Sequence, residues 1–220
     1  MNVAIDGPAG AGKSTIARKT AYNIGYIYVD TGAIYRTLAL ACIRRGVSAE
    51  DEEKISSVCR NVKVELKYID GGQVMLLDGE NVNDYIRTEE VSRMTSSISV
   101  YKDVREQLID LQRNIAANEN VIMDGRDIGT FVLPNAEVKI YLTASVATRA
   151  KRRYMEQQEK GIECTIEEIE KDIEQRDYRD MNREIAPLKK ADDAVEIDTS
   201  DMTIEQVTDA IEKIIKEKMS

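Results

Sequence analysis

The 220-residue sequence has no histidine. Without an imidazole there can be no Ser/His/Asp or Cys/His nucleophile system, no histidine-ligated metal, and no side chain with an ordinary pKa near neutrality to shuttle protons. Cysteine is scarce. Cys42, Cys59 and Cys164 are odd in number, widely spaced and in no metal-binding pattern, so they read as reduced fillers. No apolar run approaches the ~18 residues that cross a membrane, and the N-terminus lacks a basic-then-apolar signal, so a cytoplasmic location with no membrane partner is expected. Positive charge is also in deficit. Against 40 acidic side chains stand 31 basic ones, a net charge of −9 that argues against a nucleic-acid partner. Any anionic ligand must therefore meet a local cluster of arginines.

What is present describes a folded chain, 42% hydrophobic and 32% charged, long enough for one sizeable core with a small inserted unit. Its first fifteen residues, MNVAIDGPAGAGKST, organise the rest. Val3-Ala4-Ile5 is a strand-type run that breaks at Asp6-Gly7. Gly7-Pro8-Ala9-Gly10-Ala11-Gly12-Lys13-Ser14 then fits GxxxxGK[ST] at every fixed position, with Thr15 following. The glycines let backbone N–H groups turn inward as an anion nest, and the next helix points its positive end at the same place. Lys13 can reach the β/γ-phosphates and the Ser14 hydroxyl can hold Mg²⁺. This is the signature of a nucleoside-triphosphate site.

Strand and helix patterns flank the motif. Ala17, Ala21 and Ile24 fall on one helix face, with Gly25 as a stop. Tyr26 to Val29 reads as a strand ending at Asp30, and Thr31-Gly32 opens a helix with Ile34, Leu38 and Ala41 on one face. Such alternation implies a parallel sheet with crossover helices. Val62 to Asp78 instead alternates apolar and polar residues around Asp70-Gly71-Gly72, an antiparallel hairpin, and Asp78-Gly79-Glu80-Asn81 leads toward a third strand. An insertion spanning about 60–87 is expected. Val104, Leu108, Leu111 and Ile115 mark an amphipathic helix; Val121 to Met123 and Val138 to Leu142 are strands. Charged helices over about 145–160 and 165–180 follow, with a capping box at Thr165 and Glu168. Val195 to Ile197 is a last strand, and a final helix buries Ile204, Val207, Ile211 and Ile214.

A nucleotide site serves a switch, a motor or a small-molecule kinase. NKxD and DxxG elements are absent, and the chain is short for a motor. Asp124 closes an apolar strand, where a Walker-B-type carboxylate stands near Mg²⁺, and Gly125-Arg126-Asp127-Ile128-Gly129-Thr130 follows at the carboxyl end of that strand, where open α/β sheets take ligands. Arg176, Asp180 and Arg183 share one helix face by spacing, as do Arg149, Arg152 and Arg153. Arg36 and Tyr35 lie just after Asp30-Thr31-Gly32, and Arg105 edges an apolar stripe. For any single arginine a solvated face is the ordinary reading, but several guanidinium groups together can bind phosphate in a forked manner. The missing histidine favours a phosphate acceptor. With a second pKa of about 6 it is mostly dianionic and needs no base, whereas the repulsion of two phosphate chains does need offsetting.

IDGPAGAGKST, DTGAIYR (30–36), DGRDIGT (124–130) and RDYRDMNREIAPL (176–188) stand in the order found in the bacterial cytidylate kinases, and the chain resembles that family end to end, including the small inserted sheet. The resemblance implies a three-layer P-loop fold with a five-stranded parallel sheet and a short helical lid. It implies a core of about 1–30, 100–149 and 184–220, a monophosphate-binding region of about 31–99, and a lid of about 150–163 with Arg149, Arg152 and Arg153 at its base. It further implies transfer of the γ-phosphoryl of ATP to CMP or dCMP with Mg²⁺, by a monomer. Arg36 and Arg126 are then expected on the acceptor phosphate beside Thr31 and Tyr35; Ser96, Arg105 and Asp127 at the cytosine edge; Arg176 and Asp180 at the sugar; Arg183 on the phosphates. A kinase for UMP or shikimate and a nucleotide-dependent switch are the alternatives.

Overall fold

The computed structural model describes residues 1–69, 71–159 and 161–219; Asp70 of the expected hairpin turn and Lys160 of the expected lid lie outside them. In chain order the elements are β1 (Asn2–Asp6), α1 (Lys13–Ile24), β2 (Ile27–Asp30), α2 (Thr31–Arg44), α3 (Glu52–Asn61), β3 (Val64–Ile69), β4 (Gly72–Leu77) and β5 (Glu80–Asn81). There follow α4 (Glu89–Ile98), α5 (Lys102–Asn118), β6 (Val121–Gly125), a π-helical turn over Ile128–Val132, β7 (Val138–Thr143), α6 (Val146–Glu159), α7 (Ile166–Asn182), β8 (Val195–Asp198) and α8 (Ile204–Met219). They divide into two compact units, Met1–Tyr28 with Asn120–Ser220, and Val29–Glu119.

Five strands form one sheet in the order β2-β6-β1-β7-β8, and the β1–β6, β1–β7 and β7–β8 ladders are parallel. Val3, Ala4 and Ile5 are fully buried, as a strand covered on both faces requires, which is why the run is continuous rather than alternating. Helices α1 and α8 pack together, α1 against β6 and α8 against β7. Ile16, Ala17 and Ala21 of α1 join Val207, Ile211 and Ile215 of α8 in the same core as Ile5, Ile122 and Ile140. The stripe of α8 is rotated from its expected setting: Ile215 is buried, Ile214 only partly, and Ile204 is exposed. The register Asp6↔Gly125 brings the loops that leave β1 and β6 side by side. That is where ligands bind in open α/β sheets.

The second unit carries the antiparallel sheet β3-β4-β5, paired from Val64↔Leu77 to Ile69↔Gly72. Helix α2 packs on β3, β4 and α4, and its Ile34 and Leu38 are buried in the same unit as Met75 and Ile98. Helices α3 and α4 did not stand out as periodic apolar stripes, yet both have legible caps. The Asp51 side chain accepts from Lys54 N and that of Thr88 from Val91 N, each before a first turn with two glutamates.

Replacing Ile122 by Ala removes a fully buried side chain from the centre of the main sheet. The loss of transfer energy and the residual cavity are expected to cost about 3–4 kcal/mol. Urea unfolding checks this: the midpoint should fall with little change in slope.

Candidate functional site

The first unit places the P-loop between β1 and α1. Gly7 has φ +147°, and a Cβ there would stand 1.9 Å from the Leu142 carbonyl oxygen, so no other residue fits. Gly12 is left-handed at the start of α1 with φ 85°. The loop carbonyls are held as well. Arg149 is buried, its Nη1 donates to Ala9 O at 2.9 Å, its Nε to Ala144 O at 2.9 Å, and it pairs with Asp177 at 2.7 Å. Arg152 donates to Thr199 O at 2.6 Å. These two arginines brace the loop and the strand ends; they are not a solvated face.

Lys13 is buried, with Nζ donating to Pro8 O at 2.7 Å. Burial drives its pKa well below the usual lysine range; Arg126 and Arg176 push the same way, while Asp124 and Asp6 oppose them. The ammonium thus sits in a positive field, which an added anion would relieve. Ser14 Oγ donates to Asp124 Oδ2 at 2.9 Å, and Tyr28 Oη donates to the other oxygen, Oδ1, at 2.8 Å. The hydroxyl and the carboxylate expected near the metal therefore meet.

The segment after β6 gathers the remaining residues of this unit. Arg126 Nε donates to Asp180 Oδ2 at 2.8 Å, and Arg183 Nη2 to Asp127 Oδ1 at 2.9 Å. Burial alone would lower the Arg126 pKa and raise that of Asp180. Their attraction and hydrogen bond, together with Asp124 and Asp177 acting on Arg126 and with Arg176 and Arg183 acting on Asp180, outweigh it, so the guanidinium is held above its ordinary value and the carboxyl below. Arg183 departs from the spacing argument. α7 ends at Asn182, and Arg183 is already extended (φ −65°, ψ 143°), so it does not continue the helix face of Arg176 and Asp180. It reaches Asp127 from the turn beyond, while its Nε donates to Ala186 O at 2.7 Å.

In the second unit Asp30 caps α2, its Oδ1 accepting from Ala33 N at 2.9 Å and its Oδ2 from Arg36 Nη2 at 2.8 Å. A Cβ on Gly32 would lie 2.9 Å from that guanidinium and 3.1 Å from Asp30 Oδ1, which accounts for the glycine in DTG. Thr31 is buried as the first residue of the helix. Arg105 is buried below the Tyr35 ring, 5.7 Å from its centroid, and donates to Ser99 O at 3.3 Å. The buried Ser96 Oγ has no hydrogen-bond partner among the described residues. Thr31, Tyr35, Arg36, Ser96 and Arg105 thus share one unit; Lys13, Ser14, Asp124, Arg126, Asp127, Arg176, Asp180 and Arg183 share the other.

Several contributors escaped the sequence reading. Asp6 accepts from Ile128 N at 2.8 Å and Gly129 N at 2.7 Å, and burial pushes its carboxyl up to about 6 despite those bonds. Its only signal was an acid immediately before an anion-binding loop. Tyr28 was one of two tyrosines in a strand, and nothing local marked it. Gln73 of β4 pairs with both backbone groups of Asp30, accepting from N at 2.8 Å and donating to O at 3.2 Å. Arg87 adds a longer contact to Asp30 Oδ2 at 3.4 Å.

The family model described as "Cytidylate kinase" matches residues 3–217. Over 218 residues the chain is 51% identical to the cytidylate kinase of Lactobacillus johnsonii, spanning 99% of this chain and 95% of that protein. The cytidylate kinase of Geobacillus sp. (strain WCH70) is 48% identical over 219 residues, spanning 100% and 98%. Among solved structures, the shikimate kinase of Bacteroides thetaiotaomicron aligns over 98% of both chains with a TM-score of 0.51 and 11% identity, a likeness of fold.

The buried Arg126–Asp180 pair has a pH signature. Because the folded Asp180 pKa lies below its unfolded value of about 3.9, the pair contributes stability at neutral pH that is lost as pH falls through the folded value. Asp180→Asn should cost about 3 kcal/mol at pH 7. Chemical denaturation at successive pH values should show the gap to the parent begin to close below pH ~4, where the unfolded carboxyl takes up its proton, and go on closing as pH falls through the folded value.

Proposed function

The chain belongs to the cytidylate kinase family, and on that premise we propose that it moves the γ-phosphoryl group of ATP to CMP or dCMP, by in-line transfer, with Mg²⁺ and an arginine clamp and without a general base. The observation that carries this reading is the field of cations gathered at the P-loop: Lys13 is buried on Pro8 O, and Arg126 and Arg183 are held by Asp180 and Asp127 in the same unit. Two phosphate chains repel each other, and such a field offsets that repulsion at the point where charge is transferred.

The carboxylates of the first unit support the absence of a base. Asp124 accepts from Ser14 and Tyr28, Asp127 pairs with Arg183, Asp180 with Arg126, and Asp6 accepts two backbone N–H groups. Each is already engaged by donors; even Asp6, whose carboxyl is raised to about 6, has both oxygens turned to backbone N–H groups and not to an alcohol. A phosphate acceptor requires no such step.

Residues of the P-loop from Gly7 to Thr15 take the triphosphate, with N–H groups of the nest and Lys13 as the donors. The Ser14 hydroxyl and Asp124 carboxylate, 2.9 Å apart, are hard oxygen donors suited to Mg²⁺, which takes one or two protein oxygens and completes its shell with phosphate and water. Among the described residues no cluster of three or more acids or cysteines forms a metal cage, so the ion would arrive with the nucleotide. Bound there, Mg²⁺ supplies neutralisation of the β- and γ-phosphate charge. Arg126 and Arg183 orient the acceptor phosphate and the transferring group. Asp127 serves the base, and Arg176 and Asp180 the sugar. In the second unit Arg36, with Thr31 and Tyr35, serves the acceptor phosphate, and Ser96 and Arg105 serve the cytosine edge. The unpartnered buried Ser96 hydroxyl supports that assignment, since a buried donor left unmade is costly. A sugar contact confined to the 3′ side leaves CMP and dCMP equivalent.

The segment of about 150–163, which takes in most of α6, is assigned the role of lid, which would exclude water from the transfer. Its apolar contact is the small cluster of Ala150, Ile169 and Ile173, separate from the main core. Few buried apolar contacts lower the cost of local rearrangement.

Assay with ATP and a panel of CMP, dCMP, UMP, AMP and shikimate tests the reading. Turnover should be greatest with the cytidine monophosphates, within about threefold of each other, and shikimate should be inert; phosphorylation of a neutral hydroxyl compound instead would overturn the mechanism. In Arg126→Ala, kcat should fall by about 10³-fold or more while ATP still binds.

A further inference from the structure

Asp6 has no role in the transfer as set out above, yet it is the carboxylate with the least ordinary surroundings in the first unit. It is buried at the end of β1, and both its oxygens are spent on backbone N–H groups of a loop far away in sequence: Oδ1 on Ile128 at 2.8 Å and Oδ2 on Gly129 at 2.7 Å. The loop is of a particular kind. Ile128–Val132 is a single π-helical turn, wound on the carbonyl of Asp127, which accepts from Phe131 N at 2.9 Å and Val132 N at 3.1 Å. Such turns are rare and recur at functional sites. The two N–H groups that Asp6 holds are the first of that turn, which a helix start leaves without internal partners.

We infer that Asp6 is a positioning residue for the acceptor side of the site: its carboxylate fixes the backbone that follows Asp127, and through it the placement of Asp127 and Arg126 beside the P-loop. The inference rests on the kinase reading above. It explains why a carboxylate stands next to a loop built for anions, where it repels phosphate and is itself penalised by burial and by the neighbouring Asp127. Two charge-assisted bonds to backbone give a firmer anchor than a neutral side chain could. The contact is also tight. A Cβ added to Gly129 would stand 3.4 Å from Asp6 Oδ2, in van der Waals contact, and 3.2 Å from Lys139 Cδ, so the loop lies directly against the carboxylate. Since β1 and β6 are already paired at Asp6↔Gly125, the sheet does not need these bonds for its register. What they fix is the turn beyond it.

Asp6→Asn keeps one acceptor and sets an amide N–H against the second donor. If Asp6 positions the acceptor loop, kcat/KM for CMP should fall by about 10²-fold, the scale of a small misplacement of reacting groups. The dissociation constant of ATP, measured with a fluorescent analogue in the absence of CMP, should change less than threefold. Hydrogen exchange read by mass spectrometry should accelerate over residues 125–133 and not over 7–15. Asp6→Glu keeps the charge but displaces both oxygens by one methylene and should show the same division, which keeps the test open should the asparagine variant not fold. An equal loss for ATP and CMP, an unchanged kcat/KM for CMP, or unchanged exchange over 125–133 would each overturn the inference. If the parent protein does not turn over CMP, the kinase reading fails instead, and the exchange measurement alone judges Asp6.

Discussion

Keeping like charges together inside a protein is the constraint on which this site depends. Burial depresses the Lys13 ammonium pKa, and Arg126 and Arg176 lie near enough to add to that effect. Each added cation would be intolerable without a carboxylate close by, and the first unit supplies them pairwise: Asp180 for Arg126, Asp127 for Arg183, Asp177 for Arg149. Such pairs gain little over an apolar pair of the same volume, because desolvation consumes most of the Coulomb gain, although removing one partner alone is costly. Their value is geometric. A forked guanidinium held by a fixed carboxylate presents its other N–H groups in a fixed direction.

The second unit meets a smaller version of the same problem with Asp30. One carboxylate caps α2, holds Arg36 and receives Arg87, while Gln73 of the inserted sheet secures its backbone on both sides. The inserted sheet therefore has a visible task. Asn83 in turn donates to Gln73 O at 3.0 Å and accepts from Met75 N at 2.9 Å, extending the ladder that carries Gln73. The chain of support runs from a turn, through a strand, to a helix cap, and ends at an arginine.

Much of this was legible because its physics is local. A glycine that must be left-handed, a lysine and a serine at fixed spacing, and a continuous apolar strand all leave marks within a few residues, so the P-loop, the parallel strands and the inserted hairpin could be read directly. Asp124, Arg126, Asp127, Arg176 and Asp180 were legible as residue types at strand and helix ends, and the structure brings them together within one unit. Their pairing was not legible, since Arg126 and Asp180 are distant in sequence and many partners were chemically equivalent. Arg183 shows the limit of periodicity: the spacing from Arg176 was helical, but the helix stops one residue short. Asp6, Tyr28 and Gln73 act by hydrogen bonds to groups elsewhere in the chain, and no spacing rule encodes those.

The same reasoning resolves an apparent conflict in charge. A protein with a net charge of −9 should repel the anions that its P-loop is shaped to hold. Net charge, however, is mostly the sum of exposed groups, and at physiological salt the field of each is screened beyond about 8 Å. Buried groups are screened far less. Lys13 and Arg183 are both buried, and burial, with Arg126 and Arg176 nearby, lowers the basicity of the ammonium. What an anion meets at the P-loop is therefore decided by the unscreened cations and carboxylates at short range, not by the larger number of screened anions at the surface. Surface acidity sets the long-range field of the molecule, while the sign of the site is set by what lies within a few ångströms of it. On this view, adding or removing exposed charge changes the encounter rate with nucleotides at low salt and leaves the equilibrium at the P-loop almost untouched.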